Sequence, residues 1–96
     1  MNPLENGESA YFEIPLPGTG DNYIHICDEN GSIIQSYNLG IWEMDYLCRT
    51  KDGYEAACRY PSRFYELDEN MNLLSLQRDE YSYFFVAHDG KLIKVN

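Results

Sequence analysis

From Met1 to Cys48 the chain contains no lysine and no arginine. The stretch carries eight acids (Glu5, Glu8, Glu13, Asp21, Asp28, Glu29, Glu43 and Asp45), a formal charge of −8, whereas Arg49 to Asn96 sets seven bases against eight acids for −1. Phosphates and anionic lipids repel such a segment, which argues against direct binding to nucleic acid or a membrane surface. Cysteine is also scarce. Three residues with no C-x-x-C pair (Cys27, Cys48, Cys58) fit neither a disulfide framework nor a zinc finger. No apolar run approaches the roughly 18 residues of a membrane span, and the first twenty residues lack the basic start and apolar stretch of a signal peptide. A cytoplasmic location with reduced thiols is therefore expected. The chain lacks a P-loop, a dinucleotide fingerprint, a G-x-S-x-G elbow and EF-hand spacing. No enzyme activity and no cofactor are predicted.

What is present is a chain rich in strand formers. Ninety-six residues predict a single domain (1–96) with a modest core. The nine tyrosines favour strands and, half exposed, supply rigid contact area with a polar tip. Residues 1–10 are polar and hold Pro3 and Gly7, so they are expected to form a flexible N-terminal arm. From Tyr23 onward, apolar segments flank the turn signals Glu29-Asn30-Gly31, Asp52-Gly53, Asp68-Glu69-Asn70 and Asp89-Gly90. Such turns between alternating hydrophobics mark β-hairpins. They recur at roughly 20-residue intervals, a weak one-hairpin repeat. The short links between hairpins leave no room for helical crossovers. The predicted fold is an all-β antiparallel meander of about eight strands built from successive hairpins, arranged as a small barrel, a sandwich or propeller-like blades.

Registers follow from the turns. A three-residue first loop pairs Ile26 with Ile34 and Ile24 with Ser36. A two-residue Asp52-Gly53 turn sets Cys48 against Ala57 and Leu47 against Cys58, leaving the thiols unbridged. The third hairpin pairs Arg63–Leu67 with Leu73–Gln77. A two-residue Asp89-Gly90 turn sets Val86 against Ile93, with Phe84, Val86, Ile93 and Val95 on one face.

Among groups that carry chemistry, His25 and Cys27 share one strand face, and His88 with Cys48 or Cys58 would complete a metal site only on paper. Their spacing matches no compact zinc module, and no metal is predicted. The acid pairs Asp28/Glu29, Asp68/Glu69 and Asp79/Glu80 all fall at turns, where solvation and turn chemistry call for them.

The base-free half interleaves acids with aromatics: Tyr11 near Glu13, Tyr23 near Asp21, and Trp42 and Tyr46 around Glu43 and Asp45. Tight interfaces combine desolvated aromatic anchors with complementary charge. The expected partner is a basic protein, met by Glu8, Glu13, Asp21, Asp28, Glu29, Glu43 and Asp45 and anchored by Tyr23, Trp42 or Tyr46. In size, acidity and lack of catalytic apparatus the chain resembles immunity proteins of bacterial toxin systems, contact-dependent growth inhibition included. That resemblance implies a stoichiometric cytoplasmic complex in which the cleft of a toxin nuclease is blocked. The competing expectation is a non-catalytic structural or oligomerising module of β-hairpin repeats.

Overall fold

Apolar and polar side chains alternate between the turn signals, and the segments that show this form strands. The computed structural model describes residues 2–16, 18–59, 63–78, 83–86 and 91–95. Over these the chain is all-β: β1 (Asn2–Pro3), β2 (Ser9–Glu13), β3 (Asn22–Cys27), β4 (Ile33–Gly40), β5 (Tyr46–Arg49), β6 (Gly53–Cys58), β7 (Arg63–Asp68), β8 (Leu73–Arg78), β9 (Tyr83–Val86) and β10 (Leu92–Val95). The only helical element among the described residues is a 3-10 turn at Glu5–Gly7. Contacts divide the chain into two compact units, Met1–Glu43 and Met44–Asn96. The first holds the antiparallel sheet β1-β2-β3-β4, and the second holds β5-β6-β7-β8 together with the β9–β10 hairpin. Among the described residues neither four-stranded sheet closes into a barrel.

The unit boundary nearly coincides with the charge boundary. Met1–Glu43 has seven acids and no lysine or arginine, while Met44–Asn96 has nine acids against all seven bases. Within the stretch expected to be a loose arm, Asn2 and Pro3 pair with Ala10 and Ser9, and Ala10 is buried.

In the first unit, Tyr11 stands opposite His25 and His25 opposite Ser36; Glu13, Tyr23 and Asn38 form the next row. Because side chains alternate along a strand, these six share one face. Ala10, Ile24, Ile26 and Leu39 are buried on the other.

In the second unit, Leu47, Tyr54, Ala56, Tyr65 and Leu67 are buried on one face of the sheet. On the opposite face Ala57 and Phe64 pack with Phe84 of β9, flanked by Tyr46 and Leu92. Phe64 meets Phe84 edge-on, with centroids 6.1 Å apart.

The registers expected for the first, second and last hairpins need correction. In the first hairpin Ile26 pairs with Gln35 and Ile24 with Tyr37, while Cys27 pairs with Ile33. The loop is five residues long, Asp28–Ser32, because the Asp28 carboxylate closes it. Its Oδ1 accepts the N–H groups of Asn30 and Ser32 at 2.9 and 3.0 Å. Gly31 supplies the left-handed step (φ 84), and the leftover residue, Ile34, becomes a bulge. In the second hairpin Cys48 pairs with Glu55 and Leu47 with Ala56. The Thr50 N–H donates to the Gly53 carbonyl at 2.8 Å, so the turn is Lys51-Asp52 and Gly53 opens β6. That glycine is set by close approach, not by turn conformation. A Cβ there would lie 2.8 Å from the Asp68 carbonyl carbon and closer still to the Leu67 oxygen. In the last hairpin Val86 pairs with Leu92 and Phe84 with Lys94. This is one residue away from expectation, because Phe84 and Leu92 are recruited to the Ala57–Phe64 cluster while Ile93 stays exposed. His88, Asp89 and Gly90 lie outside the described residues.

The third hairpin joins the expected segments and sets Leu67 opposite Leu73, but an extra residue at Leu74 moves the rest of the ladder by one, so Phe64 pairs with Gln77, Tyr65 with Leu76 and Arg63 with Arg78. Its loop repeats the first one forty residues later. Asp68 Oδ1 accepts the N–H groups of Asn70 and Asn72 at 2.8 and 2.9 Å, Met71 takes the left-handed step (φ 64), and Leu67 pairs with Leu73 across the same kind of bulge. The unit of repetition is thus a bulged hairpin with an Asp-Glu-Asn loop, recurring at twice the interval that the turn signals suggest.

Candidate binding face

The polar face of the first sheet gathers the largest share of the expected contact residues. Register forces the grouping: Glu13 ends β2 beside Tyr23, and Tyr11 lies across from His25. The His25 ring is braced from both nitrogens, with Nε2 3.1 Å from Glu13 Oε1 and Nδ1 2.7 Å from Ser36 Oγ. A carboxylate accepts, so the hydrogen on this contact belongs to Nε2, and the Ser36 hydroxyl, which can donate or accept, serves Nδ1. Held in this way, the imidazole lies nearly parallel to Tyr23 (6°, centroids 6.1 Å) and to Tyr11 (22°, 5.6 Å). Asp21, just ahead of β3, accepts from Asn38 Nδ2 at 3.0 Å, and the same amide lies 3.4 Å from the Tyr23 hydroxyl.

The result is a row of three near-parallel rings with a carboxylate at each side. Its side chains are fixed before any partner arrives, which reduces the ordering cost of association. The Glu13–His25–Ser36 chain has the residue order of a nucleophile relay, yet Ser36 and Glu13 are exposed on an open strand surface. Here the chain serves to hold a ring.

The other expected residues lie elsewhere. Glu8 follows the 3-10 turn, its N–H donating to Glu5 O at 3.2 Å. Asp28 and Glu29 occupy the loop at the far end of β3, where the Asp28 carboxylate is spent on loop closure. Glu29 is exposed and passes close to Gly7. Trp42 and Glu43 are half-buried at the end of the first unit, with the Trp42 N–H donating to Leu39 O at 3.1 Å. Asp45 and Tyr46 belong to the second unit and serve its architecture. Asp45 Oδ2 accepts the Arg59 N–H at 3.1 Å and faces the Arg59 guanidinium at 3.8 Å. The Tyr46 ring tilts against Phe84, with centroids 6.0 Å apart.

Tyr11, His25, Ser36 and Asn38 were absent from the sequence-based set of contact residues. The period-2 spacing of Tyr11/Glu13 and Tyr23/His25 was available to find the first two; Ser36 and Asn38 depended on a register that the bulge at Ile34 shifts. His25, considered above as a metal ligand with Cys27, is occupied with Glu13 and Ser36, and Cys27 is buried as a free thiol. Among the described residues no group of three or more His, Cys, Asp or Glu side chains converges as metal ligands do. The second unit has a cavity of about 340 Å³ lined in part by Glu55, Phe64, Glu66 and Ser75, and none of the expected contact residues lines it. Compared with protein-family models, curated proteins and solved structures, the chain matches none.

Proposed function

We propose that this protein is a small non-catalytic binding protein that neutralises a basic partner, most simply an immunity-type inhibitor covering the substrate cleft of a toxin nuclease in the cytoplasm. One observation carries the reading. A unit without a single lysine or arginine presents Glu13 and Asp21 around a pre-ordered row of Tyr11, His25 and Tyr23. Lysines and arginines that normally meet nucleic-acid phosphates would meet these carboxylates, and arginine would also stack on the tyrosine rings. The field of a −7 unit speeds encounter with a cationic surface and is screened by salt.

The test uses tagged protein expressed in its native host, from which one basic protein should co-purify stoichiometrically. Glu13→Lys with Asp21→Lys should then slow association with that protein by about tenfold at low salt. Asp45 is a poor choice for charge reversal because its carboxylate already holds Arg59. An association rate and salt dependence unchanged in the double variant would discard this face as the interface.

The duplicated Asp-Glu-Asn hairpin favours a second reading, a structural or oligomerising repeat module. Concentration-dependent self-assembly without any basic partner would support it over the first.

A further inference from the structure

The first sheet ends on β4. Edge strands are usually protected by lysine, proline, inward-pointing charge or a bulge. Ile33–Gly40 reads Ile-Ile-Gln-Ser-Tyr-Asn-Leu-Gly, with no lysine, proline or charge, and its bulge at Ile34 lies at one end of the strand. Among the described residues β4 pairs on one side only, with β3. Irregularities flank its ladder near each end, but Gln35 to Asn38 pair without interruption. Ile33 and Ile34 are 56% and 53% exposed. Acids mark both ends: Asp28 and Glu29 in the loop that enters the strand, and Asp21 on the Asn38 side chain. No lysine or arginine of this unit answers them.

We propose that β4 is a docking edge, on which an extended segment of the basic partner adds as a fifth strand. Its main chain pairs with Gln35–Asn38, and an apolar side chain covers Ile34. A lysine or arginine near each end meets Glu29 at one end and Asp21 at the other. This rests on the proposed function and adds the mode of recognition: main-chain hydrogen bonds supply affinity, and the spacing of charged and apolar side chains sets register. The occupant is chosen by charge. A second copy would bring a like-charged unit to the same edge, whereas a cationic strand is attracted to it. The equivalent strand of the second unit, β8, ends in Arg78 and belongs to a unit that carries all seven bases.

The probes are a synthetic eight-residue peptide of alternating lysine and valine, the same peptide N-methylated at alternate residues, and poly-L-lysine. N-methylation keeps charge and side chains but removes the main-chain donors along one edge. The plain peptide should bind at low ionic strength, bind about tenfold more weakly once methylated, and slow hydrogen exchange of amides within Gln35–Asn38. Ile34→Lys, at an exposed position, should weaken binding without lowering the melting temperature. Leu74→Lys, the same added charge at the equivalent site of β8, should leave binding nearly unchanged. Equal, salt-sensitive binding of both peptides would overturn the docking edge and leave the basic-partner reading standing. No binding of either peptide or of poly-L-lysine would overturn both. Self-association that protects β4 amides and excludes the peptide would assign the edge to a second copy and overturn the proposal.

Discussion

Replacing Gly53 by alanine separates two reasons for a glycine that look identical in the sequence. If Gly53 were the left-handed residue of an Asp-Gly turn, alanine would cost about 1 kcal/mol of backbone strain and asparagine would recover part of it. In the structure Gly53 lies outside the left-handed region, in the first pair of the β6–β7 ladder, opposite Asp68. A Cβ would stand 2.9 Å from Asp68 Cα and 2.8 Å from its carbonyl carbon, well inside contact distance and against backbone that cannot rotate away. Strand β7 must retreat, and the next pair, Tyr54 with Leu67, is buried at 7% and 2% exposure. Overpacking of this kind costs about 2 kcal/mol, which for a domain of this size lowers the melting temperature by roughly 8–16 °C. Thermal and urea unfolding of Gly53→Ala and Gly53→Asn measure it. Asparagine should be at least as damaging as alanine, because its larger side chain meets the same wall. If asparagine were milder than alanine, or if alanine shifted the midpoint by less than about 3 °C, the close-approach argument would be wrong.

Asp28→Ala removes a carboxylate oxygen that accepts two loop N–H groups, and should cost about 2 kcal/mol in urea unfolding while leaving the second unit's hydrogen-exchange protection intact. Asp68 performs the same task, and the N–H and side-chain amide of Asn72 hold its carboxyl below the usual carboxylate range. A depressed folded-state value means that its contribution is present above the unfolded value near pH 4 and is lost as pH falls below it; Asp68→Asn should flatten the acid limb of the stability–pH curve there. Burial pushes the Cys48 thiol up, reinforced by the Glu55 charge and opposed by the N–H groups of Leu92 and Glu55. Native Cys48 should therefore react with iodoacetamide more slowly than a free peptide thiol at pH 8, and accelerate as pH rises. Glu55→Gln should speed the reaction, and an unchanged rate would remove Glu55 as a contributor.

The four hairpins at the turn signals were legible because turn residues and alternation are local signals, whereas β1 and its pairing with β2 lie in a polar stretch with Pro3 and Gly7 that carries no such signal. Registers were less so. In the first hairpin the preference for setting Ile26 against Ile34 assumed strict two-residue periodicity, and the Asp28-closed loop breaks that assumption by extruding Ile34 as a bulge. The second hairpin departs from expectation for a different reason: Asp-Gly signals a turn through backbone freedom, while the space beside Gly53 is filled by β7, a partner remote in sequence. The third hairpin joins the two runs that alternation marks, Arg63–Leu67 and Leu73–Gln77, yet the extra residue at Leu74 shifts its ladder so that Arg63 meets Arg78. The contact residues divided along the same line. Glu13, Asp21 and Tyr23 converge because neighbouring strands carry them on one face, whereas Asp45 and Tyr46, adjacent to Glu43 in sequence, fall into the second unit and are consumed by Arg59 and Phe84.

Charge and duplication together say more than either alone. The two Asp-Glu-Asn hairpins share loop hydrogen bonds, left-handed step, bulge and an exposed aliphatic at the bulge, Ile34 in one and Leu74 in the other. Equivalent scaffolds should bear equivalent surfaces unless something sets them apart, and here the difference is electrostatic. The hairpin of the first unit lies in a segment stripped of every lysine and arginine, while its counterpart shares a unit with all seven. The acids themselves are divided almost evenly, seven in the first unit and nine in the second; it is the bases that are segregated, all seven into the second. Acids left unneutralised on one copy of a repeated scaffold are what a cationic partner would distinguish, so exchanging Ile34 and Leu74 between the two hairpins should be nearly silent for binding, whereas moving lysines or arginines into the first unit should not.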